Sequence, residues 1–192
     1  MPTSSKKPLN SLTGQFLIAM PQMPDPRFEK SVIYICVHNA EGAMGLVVNK
    51  LFDGISFTSL LHQLDIEVTQ PARDLTVHFG GPVESGRGFV LHSADYNREG
   101  SMQVSDGVVL TATVDILRAV AEGQGPQNAI LALGYAGWGP GQLDQEMQQN
   151  GWLHAPADNR ILFDTDQERK WERALASLGI NLSMLSADIG HA

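Results

Sequence analysis

The stretch Ser31-Val-Ile-Tyr-Ile-Cys-Val-His-Asn-Ala-Glu-Gly-Ala-Met-Gly-Leu-Val-Val-Asn49 decides the fold class. Successive side chains of an extended chain point to opposite faces, so Val32, Tyr34 and Cys36 share one face and Ile33, Ile35 and Val37 the other. Both faces are apolar, the pattern of a strand in the middle of a sheet covered on both sides. His38-Asn-Ala-Glu-Gly42 has turn chemistry and leads to a second strand, Ala43–Asn49. A five-residue loop is too short for a parallel crossover, which predicts an antiparallel hairpin.

Upstream, Leu12–Met20 is strand-like, and Pro21, Pro24 and Pro26 enforce an extended loop through Met23 and Asp25. Residues 1–10, rich in Pro, Ser and Lys, predict a flexible tail before a single domain over 11–192. Downstream, Phe57, Leu60, Leu61 and Leu64 recur at helical spacing after Ser56. Leu75–Phe79 and Gly88–His92 predict another strand pair around Gly80-Gly-Pro-Val83, and Val108–Leu110 a short strand. A second helix carries Val114, Ile116, Leu117, Val120 and Ala121, capped near Thr111 or Thr113 and stopped at Gly123. The last helix opens on a capping box, Thr165-Asp-Gln-Glu168. It buries Trp171, Ala174, Leu175 and Leu178, and ends at Gly179. No internal repeat or linker divides the chain. Hairpins with interspersed helices argue α+β, in one domain.

Composition removes several function classes. A net charge of −8 opposes binding to phosphate backbones, and the 13 Lys and Arg form no cluster beyond Lys6-Lys7, so direct nucleic-acid binding is not expected. Cys36 is the single cysteine, so an intrachain disulfide is impossible. The polar N-terminus lacks the apolar core of a signal peptide, and the apolar runs fall short of a membrane span. Cytoplasm is the expected compartment.

Five blocks occur in order. They are Gly14-x-Phe-Leu-Ile-Ala-x-Pro-x-Met-x-Asp-Pro-x-Phe28, Ser31-Val-Ile-Tyr-Ile-Cys-x-His38, Glu41-Gly-Ala-Met-Gly-Leu-Val-Val-Asn-Lys50, Gly80-Gly-Pro-Val83 and Gly134-Tyr-Ala-Gly-Trp-Gly-Pro-Gly-Gln-Leu143. This array resembles the AlgH/YqgE family of bacterial proteins over nearly the whole chain, from about Leu12 to about Ile180. The resemblance implies a compact α+β domain with a largely antiparallel β core and flanking helices. It implies little about activity, since some members carry a transcriptional-regulator label with no assigned catalytic site.

The Gly134–Leu143 block is the first candidate site. An apolar run, Ala129–Leu133, leads in, and a helix-like segment, Gln142–Gln149, follows. A strand, a glycine-rich turn and a helix start can present free backbone N–H groups to an anion or partner. The lysine and hydroxyl of a nucleotide P-loop are missing. Gly137, Trp138, Gly139 and Gly141 are then ligand-contacting positions, with Trp138 as an apolar lip. Equally, the block is a tight connection in which Trp138 fills core space and Asp144 already uses the field of the helix. Pro21 and Asp25 in the Pro21–Phe28 loop, with Gly80 and Gly81, supply two further shape-fixing segments. A shared groove requires that all three meet in space.

Cys36 and His38, two residues apart, are expected on one strand face, where His38 could help form a thiolate for a thiol-dependent enzyme or redox sensor. Against this, a free cysteine between Ile35 and Val37 reads as core. His78 and His92 lie in strands, His62 on the polar side of a helix and His154 in a loop, with no spacing that names a metal site. Serines 31, 85 and 93 have no hydrolase-elbow context. No metal or cofactor is therefore assigned. The reading is a binding or regulatory protein for a small molecule or a protein partner.

Overall fold

The computed structural model describes residues 11–68, 75–149, 151–164 and 166–180. The expected tail over 1–10 lies outside them. In chain order the elements begin with β1 (Gln15–Ala19), β2 (Val32–Asn39), β3 (Gly42–Val47), α1 (Phe57–Gln63), β4 (Val77–Phe79), β5 (Val83–His92) and β6 (Ser101–Ser105). They continue with β7 (Val108–Thr111), α2 (Val114–Ala121), β8 (Ala129–Trp138), α3 (Gln142–Gln148), β9 (Trp152–Pro156), α4 (Asn159–Leu162) and α5 (Gln167–Ala176). Among the described residues the nine strands form one sheet in the order β6-β7-β5-β8-β3-β2-β1-β9, with β4 also on β8. The β4–β8 pair is parallel and every other pair antiparallel. The sheet curls so that Ser105 at the end of β6 reaches Tyr34 of β2, with a 2.8 Å hydroxyl–hydroxyl hydrogen bond. The class is α+β.

The hairpin that opens the argument forms, with β2 and β3 in antiparallel register. Its loop is tighter than the sequence predicts, because pairing continues to Asn39 opposite Gly42. Both faces of β2 are buried. Val32, Tyr34 and Cys36 enter one core with Phe16, Leu46, Phe89, Leu91 and α5 residues Trp171, Ala174 and Leu175. Ile33 and Ile35 enter another with Leu17, Val47, Trp138, Leu143 of α3 and Trp152. A third core lies where α1 and α2 lay Phe57, Leu61, Ile116, Leu117 and Val120 on Val77, Val90, Leu131 and Leu133. Helix α1 starts in a capping box, with Ser56 and Ser59 bonding each other's backbone N–H at 3.0 and 3.1 Å.

Strands β4 and β5 do not pair with each other, contrary to the sequence expectation. Both flank β8, β4 on the β3 side (Val77↔Leu131, Phe79↔Leu133) and β5 on the other (Val90↔Leu131, Val83↔Tyr135). The connection must therefore cross the β8 backbone, and glycines make the crossing. Gly80 N–H donates to Leu133 O at 2.8 Å, and Gly80 O accepts from Val47 N–H at 2.8 Å, stitching β8 to β3. A Cβ on Gly81 would lie 2.1 Å from the Tyr135 carbonyl carbon, and one on Gly134 2.4 Å from Gly81 O. No side chain fits between the two crossing backbones.

Strands β6 and β9 and helix α4 carried no sequence signal, and His154 lies on β9 rather than in a loop. Helix α5 buries Trp171, Ala174 and Leu175 as predicted, but Leu178 is 37% exposed beyond its end. Thr165, the first residue of the predicted capping box, lies outside the described residues. Lys170 is fully buried on α5. Its ammonium donates to Val48 O at 2.8 Å and Leu162 O at 2.9 Å. Both carbonyls sit at or just past the end of an element, β3 and α4, so Lys170 closes groups that would otherwise be orphaned. Burial pushes its pKa down to about 7.

Candidate functional site

The Gly134–Leu143 segment is mostly strand rather than loop. Residues up to Trp138 belong to β8, and only Gly139, Pro140 and Gly141 connect it to α3. Gly134 takes φ +77°, which breaks the alternation along β8. Leu131 and Leu133 face the α1–α2 core before it, whereas Ala136 and Trp138 face the α3 core after it. Trp138 is 8% exposed and meets Trp152 edge-on at 6.4 Å, so it fills core space. The Gly139 N–H is taken by Gln142 Oε1 at 3.0 Å, and Asp144 adds a carboxylate to the first turn of α3. A side chain of this segment already sits where an anion would bind.

The Pro21–Phe28 loop does reach this region, through apolar packing. Met23 and Phe28 join the core around Trp138, Leu143 and Trp152, and Phe28 meets Trp152 edge-on at 5.6 Å. Pro21 is exposed. Asp25 binds Arg27 through its side chain (2.7 Å) and backbone N–H (3.0 Å), and the guanidinium holds its carboxyl below the usual range. Gly80 and Gly81 are occupied by the crossing of β8. Each of the two loops thus packs against the Gly134–Leu143 segment, and neither the α1–α2 cleft nor the cavity beside α3 is lined by Pro21, Asp25, Gly80, Gly81, Gly137, Trp138, Gly139 or Gly141.

Cys36 and His38 face opposite ways, which corrects the expectation that they share a face. The β2–β3 register slips between Ile35↔Gly45 and Val37↔Met44, so Cys36 is an extra, unpaired residue. Val37 thereby turns to the Cys36 side, and His38 to the other, opposite Ala43. Cys36 is 1% exposed, its thiol lies 3.8 Å from Tyr34 O, and burial pushes its pKa up to about 12. A thiol so placed is not ionised near neutral pH, and no imidazole adjoins it through His38. His38 instead accepts the Leu12 N–H at Nδ1 (3.0 Å).

An open apolar cleft, which the sequence did not announce, lies between α1, α2 and the sheet. Its volume is about 220 Å³. Leu60, Leu64, Val114 and Leu117 form the walls, and Val90, Leu131 and Leu133 the floor. Two features keep it open. Five steps along β5, from Val83 to Gly88, stand opposite two along β8, from Tyr135 to Leu133, so Glu84–Arg87 bulge away from the ladder. At the rim, a Cβ on Gly86 would meet nothing within 4 Å. Leu64 (37%) and Val114 (44%) are large apolar side chains left exposed there.

The one hydroxyl with a resolved partner at the cleft, Thr111, is already committed. His92 Nδ1 lies 2.8 Å from Ser93 O and so carries the proton, leaving Nε2 to accept from Thr111 Oγ1 at 2.7 Å. Ser101 then donates to Thr111 at 2.8 Å. Burial lowers the His92 pKa, which keeps this chain neutral. The cleft is lined by no acid, base or thiol. Among the described residues no group of three or more His, Cys, Asp or Glu could hold a metal ion, and no helix is long and apolar enough to cross a membrane.

Comparison with known proteins places this geometry in a family. The family described as AlgH-like (DUF179) matches residues 16–183. A UPF0301 protein of Rhodospirillum rubrum is 53% identical over 192 residues, covering all of both chains. A UPF0301 protein of Mesorhizobium japonicum is 56% identical over 188 residues, covering 94% of this chain and 93% of that one. The solution structure of the AlgH protein from Pseudomonas aeruginosa superposes with a TM-score of 0.78 at 42% identity, covering 97% of this chain and 99% of that one. A crystal structure from Corynebacterium diphtheriae, 22% identical, has a TM-score of 0.71 with 97% and 99% covered, and shares the fold.

Proposed function

The chain belongs to the AlgH-like family, and we propose that it is a cytoplasmic, non-enzymatic binding or regulatory protein that holds another protein by an apolar anchor in the α1–α2 cleft. The cleft carries this reading. About 220 Å³ is smaller than the ~300–1,000 Å³ of sites that enclose a small molecule, and suits one or two large apolar side chains. Burying one such side chain is worth about 1.5–3 kcal/mol, to which the cover placed over Leu64 and Val114 adds. Gly86 and Gly88, without side chains at the rim, let a partner's main chain approach closely. Regulation through such a partner fits a chain of net charge −8 better than direct contact with DNA.

Site-specific photo-crosslinking in the native cell tests the proposal. A crosslinking residue at 64 or 114 should trap one defined protein, and one at the distant exposed Arg160 should not. Crosslinks at 64 and 114 that match those at 160 would rule the cleft out as the docking site. A species containing only a second copy of this chain would replace the partner with self-association.

A further inference from the structure

We propose that a second cavity, between β1, β9 and α3, binds a small organic cation, an ammonium or guanidinium group, on Asp144 and His154. This cavity, about 420 Å³, is lined by Ser11, Leu12, Gln15, Asp144, Met147 and His154, among others, and by no lysine or arginine. It shares no residue with the apolar cleft, and it lies within the ~300–1,000 Å³ range of small-molecule sites.

The hydrogen bonds around the cavity show which of its polar groups are already engaged. His154 Nδ1 lies 2.9 Å from Gln15 Oε1, an acceptor, so Nδ1 carries the proton and Nε2 is left as a free acceptor. His38 stands directly behind Leu12 and Asp144. Its Nδ1 accepts the Leu12 N–H, so its proton sits on Nε2, which lies 3.6 Å from Asp144 Oδ1. That distance is beyond hydrogen-bond length. The His38 side chain, only 6% exposed, thus stands beside the Asp144 carboxylate without a hydrogen bond to it. The carboxylate lone pairs are therefore left available on the His38 side. A carboxylate and an imidazole lining one cavity, flanked by the apolar Leu12 and Met147, match an N–H donor cation on a short aliphatic arm.

Titrations of the full chain with n-butylammonium chloride and with methylguanidinium chloride, followed by NMR, test this. Saturable shifts are expected at the His154 and His38 imidazoles and at the Asp144 amide. They should weaken at least tenfold in Asp144→Asn, and also in His154→Ala, which removes the imidazole. Both positions are exposed, and unchanged spectra elsewhere would show that the variants fold. Sodium acetate at equal concentration should leave these signals unmoved. Shifts that do not saturate, or that persist undiminished in Asp144→Asn, would overturn the proposal. A lysine-containing pentapeptide separates two sources of the same chemistry. Tighter binding than butylammonium points to a protein side chain, and equal or weaker binding to a free amine.

Discussion

The two halves of β8 show how one strand can be both a lock and a floor. From Ala129 to Leu133 it runs beneath helices α1 and α2, and Leu131 and Leu133, though buried, form part of the floor of the cleft between them. From Gly134 to Trp138 it is packed against other backbone and against tryptophan, with no room for a methyl group beside Gly134. The glycine-rich half looks like a site in the sequence and is the more solid. The aliphatic half looks like plain core and borders open space. Glycine here marks where main chains touch each other rather than where they wait for a ligand.

Substitutions in each half sharpen that contrast. Gly81→Ala puts a methyl inside the Tyr135 peptide and should destabilise the fold by about 3 kcal/mol or more by denaturant unfolding. A loss under about 1 kcal/mol would mean that the crossing yields easily, and the contrast would fail. Lys170→Met leaves two buried carbonyls unpaired and should cost about 1–3 kcal/mol.

The pH dependence of Lys170 has a defined sign. The native amine titrates at about 7 and the unfolded one near 10.5, so between these values the unfolded chain binds more protons. The lysine's contribution therefore grows with pH over that window and is lost as pH falls through about 7. Cys36 and Tyr34, both pushed up to about 12, act oppositely from about pH 9 to 12 and from about 10 to 12 respectively. The difference between wild type and Lys170→Met, measured at pH 6 and 8.5, isolates the lysine. An identical difference at the two pH values would remove it as a titrating group. Smallest in stability is Val114→Asp, at an exposed wall of the cleft, which should stay within about 0.5 kcal/mol of wild type. It should abolish the crosslink from position 64, and a crosslink that survives would separate the partner from the open half of β8.

The hairpin, the helices α1, α2 and α5, and the α+β class were legible because each is written in local apolar periodicity. The caps expected for α2 and α5 are not the source of their ends: neither Thr113 nor Asp166 makes a side-chain cap hydrogen bond. The β2 strand announced its two buried faces directly. Pairings set by distant chain were not legible. Nothing local to Leu75–Phe79 says that β8 will come between it and Gly88–His92. The bulge at Cys36 leaves no signature either, and a slip of one residue sent His38 to the opposite face. The apolar cleft was invisible because its walls, Leu64 and Val114, have the same helical spacing as buried neighbours. Asp144 and His154 meet across one cavity only because α3 and β9 are brought beside β1.

The passage of Gly80-Gly81 across β8 also bears on the order of folding. Strands β4 and β5 are joined by a short connection yet do not pair, so β4 lacks its partner strand, and β5 one of its two, until β8 is present. The β2–β3 hairpin can form as soon as it is made, while the segment around β4 must wait for residues about 50 positions later. During synthesis Val77, Phe89 and Val90 remain without their central strand throughout that interval, so the nascent chain is most vulnerable to aggregation between completion of β5 and emergence of β8.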